Sequence, residues 1–201
     1  MSTTLDVLSD WAGVSGPRYN LFSTNEDLIL RWLNEAQLRF ADRSEVLRGI
    51  WEPVLDSSGE ATIPEDMLRI VKDKVKWDSD EWLKEADYPT VSVLTLSTTE
   101  YYSVWNGTFY VFAAAEGEPI IPYIKKPDTL LKTNYRLSDL EVPTEYHHDL
   151  IAFLDAQFAR HSGATDAYYS LMADFHNKAT LAGIKYAERN DPVPHTISRR
   201  F

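Results

Sequence analysis

Between residues 101 and 112 the chain reads Tyr101-Tyr102-Ser103-Val104-Trp105-Asn106-Gly107-Thr108-Phe109-Tyr110-Val111-Phe112. Two aromatic and β-branched runs meet at Asn-Gly. A two-residue hairpin turn needs positive φ at both of its residues, which Gly adopts freely and Asn tolerates. The stretch therefore predicts a β-hairpin. Working upstream, Ile50-Trp51-Glu52-Pro53-Val54-Leu55 reads as a short strand before the turn Asp56-Ser57-Ser58-Gly59. Leu68 to Trp77 leans to strand through its β-branched residues and alternating lysines. Thr90 to Thr95 fits a strand or a helix start. Downstream, Pro119-Ile120-Ile121-Pro122-Tyr123-Ile124 is another strand. Its two prolines point to a sheet edge, where a missing amide donor costs least.

On both sides of this β-rich middle the apolar period becomes helical. Thr3 to Trp11 predicts a short helix, ended by Gly13 and by Gly16-Pro17. Ser23-Thr24-Asn25-Glu26 reads as a capping box, and behind it Ile29, Trp32, Leu33, Ala36 and Phe40 form one apolar face. Near the end, Pro143-Thr144 opens a helix carrying Tyr146, Leu150, Phe153, Leu154 and Phe158. Thr165-Asp166 caps the next, whose face is Tyr168, Leu171, Met172, Phe175, Ala179 and Ala182. The short link makes these two an antiparallel helical hairpin. Asn190-Asp191-Pro192-Val193-Pro194 cannot continue a helix. The expectation is an α+β fold, mostly a helical bundle with an inserted antiparallel β-meander. One domain, 1–187, would hold helices at about 3–12, 24–42, 144–161 and 165–187 and a β-rich insertion at about 49–125. An extended C-terminal tail, 188–201, would follow.

Composition narrows the function classes. The 201 residues include 31 acids against 20 Lys and Arg, a formal charge of −11. A chain this acidic repels phosphates and is a poor general nucleic-acid binder. With no cysteine, disulfides, thiolate nucleophiles and zinc–thiolate sites are impossible. No apolar run approaches the ~20 residues of a membrane span. The opening Met1-Ser2-Thr3-Thr4-Leu5-Asp6 lacks the basic-then-apolar pattern of a secretory signal. The last seven residues hold Arg199 and Arg200 and no acid, a cationic tip on an acidic body.

No catalytic constellation stands out. His147 and His148 are adjacent, so on a helix they point about 100° apart and cannot clamp one metal from one face. His161 and His176, on facing helices, could approach His147, which leaves a three-histidine site open. Glu65-Asp66, Asp78/Asp80/Glu81, Glu116/Glu118 and Glu141/Glu145 are acid pairs that nothing distinguishes from a solvated face. Asp78-Ser79-Asp80 lacks the Gly and closing Glu of a calcium loop. Gly13-Val14-Ser15-Gly16 lacks the Lys-Ser/Thr of a phosphate loop. The expectation is no enzyme, no cofactor and no metal. Tyr101, Tyr102, Phe109 and Tyr110, around the hairpin turn, are the candidates for a protein interface.

Several motifs follow one another in a telling order. Trp32-Leu33-Asn34-Glu35-Ala36-Gln37 comes early, and Ile63-Pro64-Glu65-Asp66-Met67-Leu68-Arg69-Ile70 leads into the middle. Tyr123-Ile124-Lys125-Lys126-Pro127-Asp128-Thr129-Leu130 follows the hairpin. Leu137-Ser138-Asp139 then precedes Val142-Pro143-Thr144-Glu145-Tyr146-His147-His148-Asp149-Leu150-Ile151. This order, over about Asn25 to Ile184, resembles the head-to-tail adaptor (connector) proteins of tailed bacteriophages, also called tail tubular protein A in short-tailed phages. One departure is Glu100-Tyr101-Tyr102-Ser103-Val104, where that family often has Gly-x-Pro-x-Tyr. The resemblance implies a virion structural protein at the head–tail junction, present in host cytoplasm during assembly. It implies a homo-oligomeric ring, usually of twelve copies, docked on the portal and joined to a tail or nozzle protein, with no membrane partner. DNA would pass through the lumen without specific binding. It also implies a C-terminal extension reaching into the portal, which makes Ile197, Arg199, Arg200 and Phe201 the portal-contact candidates. The alternatives are a neck or tail-completion subunit, a hydrolase or metal-dependent enzyme using the histidines, and a carbohydrate-binding module using Trp and Tyr.

Overall fold

The protein is described here from a computed structural model, which covers residues 3–72, 74–77, 82–87, 101–112, 118–136 and 138–190. Its contacts divide the chain into two compact units, one of Met1–Leu47 with Pro127–Phe201, the other Arg48–Lys126. The first is helical and the second is built of strands, so the chain is an α+β protein.

The helical unit starts at α1, Thr4–Ala12, under a capping box. The Thr3 hydroxyl accepts from the Asp6 N–H at 3.3 Å, and the Asp6 carboxylate accepts from the Thr3 N–H at 2.7 Å. Gly16-Pro17, expected only to stop this helix, starts another, α2, Pro17–Thr24. Proline suits the first turn because the amide it lacks has no helical partner there. The first long helix, α3, spans Glu26–Ser44 and not 24–42. The expected capping box at its start does not form. The Ser23 and Thr24 hydroxyls turn back to the Asn20 carbonyl at 3.0 and 2.7 Å, closing α2. Glu26 is drawn elsewhere: its carboxylate accepts from the Tyr135 hydroxyl and from Arg136 Nη2 at 3.3 Å, with Lys132 Nζ at 3.6 Å.

A 3₁₀ turn, Thr144–Tyr146, leads into α4, His147–His161, and α5 spans Thr165–Asn190. Residues 188–190, expected in the tail, are the last turn of α5. Arg189 Nη1 meets Glu145 Oε1 at 2.9 Å and Asn190 Nδ2 donates to the Tyr186 carbonyl at 2.9 Å, which holds that turn up to the residues before Pro192. The core of this unit joins α1, α3, α4 and α5 through Leu8, Trp11, Leu33, Phe40, Leu150, Phe153 and Phe175. Asn34 secures the chain after the β unit, with its side chain donating to the Leu130 carbonyl and accepting from its N–H at 2.9 and 2.8 Å.

In the β unit, β1 (Arg48–Trp51), β8 (Pro119–Lys125) and β3 (Met67–Ile70) form one antiparallel sheet in the order β1-β8-β3, and β4 (Lys76–Trp77) also pairs β8. The second sheet runs β2-β7-β6-β5, from β2 (Glu60–Thr62), β7 (Thr108–Phe112), β6 (Tyr101–Trp105) and β5 (Lys84–Glu85). The hairpin β6–β7 forms as the Asn-Gly pair dictates, with φ of 49° at Asn106 and 77° at Gly107. The edge placement of Pro119–Ile124 is overturned, because β8 is the central strand of its sheet. Pro122 stands opposite Ile50 of β1, and its carbonyl accepts from the Val71 N–H at 2.9 Å, beyond the last residue of β3. A strand residue's N–H and C=O point to the same side, so the donor Pro122 lacks lies where no ladder is left to need it. The expected strand Leu68–Trp77 is two, β3 and β4, and Thr90–Thr95 lies outside the described residues.

The Glu26 cluster makes the helical unit pH-dependent. Hydrogen bonding from Tyr135, opposed by partial burial and helped by Arg136 and Lys132, holds the Glu26 carboxyl below its usual value of 4.5. Its contribution to stability is complete above that value and lost as pH falls through the lower folded one. Glu26→Gln should therefore cost about 1–2 kcal/mol at pH 7, in line with a hydrogen bond to a charged group. The difference in melting temperature from the parent protein should shrink steadily on acidification towards pH 3. A difference that stays constant with pH would show that the carboxylate charge is not what matters.

Candidate functional site

The strand alternation sorts the expected interface residues. Tyr102 stands opposite Val111 and Val104 opposite Phe109, so these four share one face of the hairpin. Tyr102 and Phe109 are buried there, their rings stacked at 5.7 Å, and Trp51 meets Phe109 edge-on at 5.6 Å. They form the core of the β unit with Val75, Leu83 and Ile121, which withdraws them from any interface. Tyr101 and Tyr110, on the other face, are half-buried. The groups exposed beside the turn are Val104 and Trp105, 44% and 55% exposed. The period-two pattern carried this signal, since it puts alternate residues of an amphipathic hairpin inside, and the last residue before the turn has fewest neighbours.

A cavity of about 320 Å³ lies in the β unit between β3 and β6, with Ile63, Met67, Ile70, Tyr102 and Val104 in its wall and Arg69, Lys72 and Glu85 beside them. Among the described residues its lining sets one carboxylate, Glu85, beside two cations, Arg69 and Lys72, which is not the paired-acid arrangement of a hydrolase.

The histidines serve the helical unit separately. His147 is buried at the start of α4, and its Nε2 donates to the Val142 carbonyl at 2.7 Å, pinning the approach to the helix. His148 is exposed. His161 rests edge-on against Trp32 at 6.0 Å. Burial, with repulsion from Arg43 and Arg39, holds the His176 imidazole below its ordinary value. Among the described residues no three His, Asp or Glu side chains gather in a metal-holding group.

The cationic tip, with Ile197, Arg199, Arg200 and Phe201, lies outside the described residues. It follows the end of α5 in sequence. Among the described residues, no helix is long and apolar enough to cross a membrane.

Among the described residues the molecule presents a hairpin tip with exposed Trp105 and a long helix, α5, buried along one face. Nothing among the curated proteins matches the chain. The family model described as SU10 adaptor protein matches residues 2–197, nearly its whole length. That span takes in both the helical and the β unit, and on it the chain belongs to the SU10 adaptor protein family, a phage head-to-tail adaptor family.

Proposed function

We propose that this chain is a virion structural protein that forms a ring at the head–tail junction, docks on the portal and links it to the tail. The observation that carries this reading is the family match over residues 2–197. The chain's own physics supports it. A ring needs surfaces that mate with unlike surfaces of the next copy and close on themselves. The ring has twelve copies, as the resemblance implies. Each brings a charge of −11, which gives the lumen wall a negative field that DNA passes without adhering.

The tail-facing contact is the hairpin tip, where Val104 and Trp105 are exposed beside half-buried Tyr101 and Tyr110. The portal contact is residues 191–201. If extended they span roughly 36 Å. A segment of this kind gains affinity by ordering against a neighbour, with Arg199 and Arg200 as anchors to carboxylates and Ile197 and Phe201 as apolar plugs.

The test mixes the purified protein with its portal protein and images the product by negative-stain microscopy. Rings stacked on the portal are expected, and at low salt they should retain no DNA on a filter. Deleting 191–201 should leave the melting temperature unchanged and weaken docking by about tenfold or more, the effect of losing one or two interface anchors. Failure to form rings with or without portal would sink the reading. Undiminished docking by the deletion variant would remove the tail from it.

A further inference from the structure

The cavity between β3 and β6 is bordered by Met67, Leu68, Arg69 and Ile70, the whole of β3 in sequence. Neighbouring residues of a strand point to opposite faces, so a space that touches every one of them follows the strand's rim and not a single face. β3 is the outer strand in the order β1-β8-β3, and a bulge between Met67 and Arg69 re-aims its side chains there. Across the space stand Tyr102 and Val104, two residues apart on β6 and so on one face of it. Ile63 completes an apolar lining. The volume of about 320 Å³ lies at the small end of the ~300–1,000 Å³ of binding sites. A trough along an outer strand, closed by an apolar wall, is the shape that takes an extended segment with one large side chain turned inward.

Two opposite charges stand at the rim. Lys72 follows β3 in one sheet and Glu85 ends β5 in the other, and both are exposed. Among the described residues neither is held in an ion pair. They border one cavity without meeting each other, which sets unlike charges around an apolar trough. Arg69, half-buried on the strand that leads to Lys72, strengthens the positive side.

We propose that this trough is a peptide site for an extended segment of the tail protein. One large apolar side chain of the segment enters the cavity, a carboxylate on one side of it meets Lys72, and a basic side chain on the other side meets Glu85. The inference rests on the tail contact proposed above and gives that contact its chemistry. Continuity selects the occupant first. Val104, 44% exposed, is both a wall of the cavity and part of the hairpin tip, so a protein seated on the tip already lies at the mouth of the trough. Charge selects it next. A segment with acids alone meets Glu85 and a chain of −11, and one with bases alone meets Lys72 and Arg69. A segment carrying both answers each side, and a wholly apolar occupant answers neither. The lining supplies affinity, and the unlike charges fix which way the segment runs and reject segments of the wrong order.

The test adds the tail protein to portal-bound rings and measures its retention by sedimentation over a range of concentrations. Lys72→Glu should weaken retention about tenfold, as should Glu85→Lys, each with the melting temperature unchanged, because an exposed charge acts on a partner and not on packing. The double exchange Lys72→Glu/Glu85→Lys should stay weak, since it presents the segment with both charges reversed. Val104→Trp, which fills the mouth of the cavity, should weaken retention about tenfold or more. Trp105→Ala reports on the hairpin tip alone. Parent-like retention by Lys72→Glu and Val104→Trp, with loss in Trp105→Ala, would overturn the peptide site and leave the tail contact standing. Recovery in the double exchange would overturn it too, because the two charges would then serve each other. So would a Val104→Trp variant that loses stability but not retention, which assigns the cavity to the chain itself, or a Lys72→Glu variant that no longer forms rings, which assigns it to a second copy. No retention by the unaltered protein would overturn both readings.

Discussion

Phe175→Ala is expected to lower the stability of the helical unit by about 3–5 kcal/mol, the range for removing a fully buried aromatic ring. Phe175 has no exposed surface and sits on the inner face of α5. Its ring meets Phe153 edge-on at 5.1 Å and Phe40 at 6.2 Å, and Phe40 in turn meets Tyr146 at 5.6 Å. Three helices and the 3₁₀ turn therefore share this one ring's neighbourhood. Truncation leaves a cavity whose walls belong to separate elements, and the loss grows with how little they can close. A domain is stable by only ~5–15 kcal/mol, so the variant should be partly unfolded at 37 °C. Urea denaturation followed by far-ultraviolet circular dichroism measures it, with Phe175→Leu as the milder companion. A loss below about 1 kcal/mol would mean that the aromatic cluster is not the centre of the unit.

Gly183→Leu comes next, with an expected loss of about 3 kcal/mol from overpacking. Glycine inside a helix costs about 1 kcal/mol relative to alanine, so something at this position must outweigh that. A Cβ on Gly183 would stand 2.7 Å from the Ser44 carbonyl oxygen and 3.2 Å from its Cα. Both are backbone atoms of the last turn of α3. That turn is itself tied down, with the buried Ser44 hydroxyl donating to the Phe40 carbonyl at 2.6 Å. A side chain at 183 therefore has to push α5 away from α3 and loosen every pair below it. The same denaturation experiment checks it, and Gly183→Ala should also be destabilising despite its better helix propensity. Parent-like stability in Gly183→Leu would show that the two helices can separate at this end without cost.

Signals that act within a few residues survive in the folded chain. The hairpin followed from Asn106-Gly107 because turn chemistry acts over two residues. The helices followed from apolar steps of three and four because any helix must bury one stripe. The errors arise where a partner distant in sequence competes for a local signal. Ser23-Thr24-Asn25-Glu26 has the letters of a capping box, but Tyr135 lies 109 residues away and takes the carboxylate of Glu26. The prolines of β8 point to an edge, but β3 ends before it needs the amide that Pro122 lacks. Tyr102 and Phe109 look like a sticky tip, but a second sheet element, Trp51, covers them.

By itself, then, the order of residues determined that helices flank a β-rich middle, that a hairpin turns at 106–107, and that an acidic chain without cysteine ends in a basic tip. These are properties of windows a few residues long, or of composition, and they hold whatever the rest of the chain does. The tertiary structure alone decided that β8 is central, which aromatics of the hairpin are core, and that the inner face of α5 meets α3 and α4. Burial is a property of what packs from the far side, and only the folded chain brings that side in.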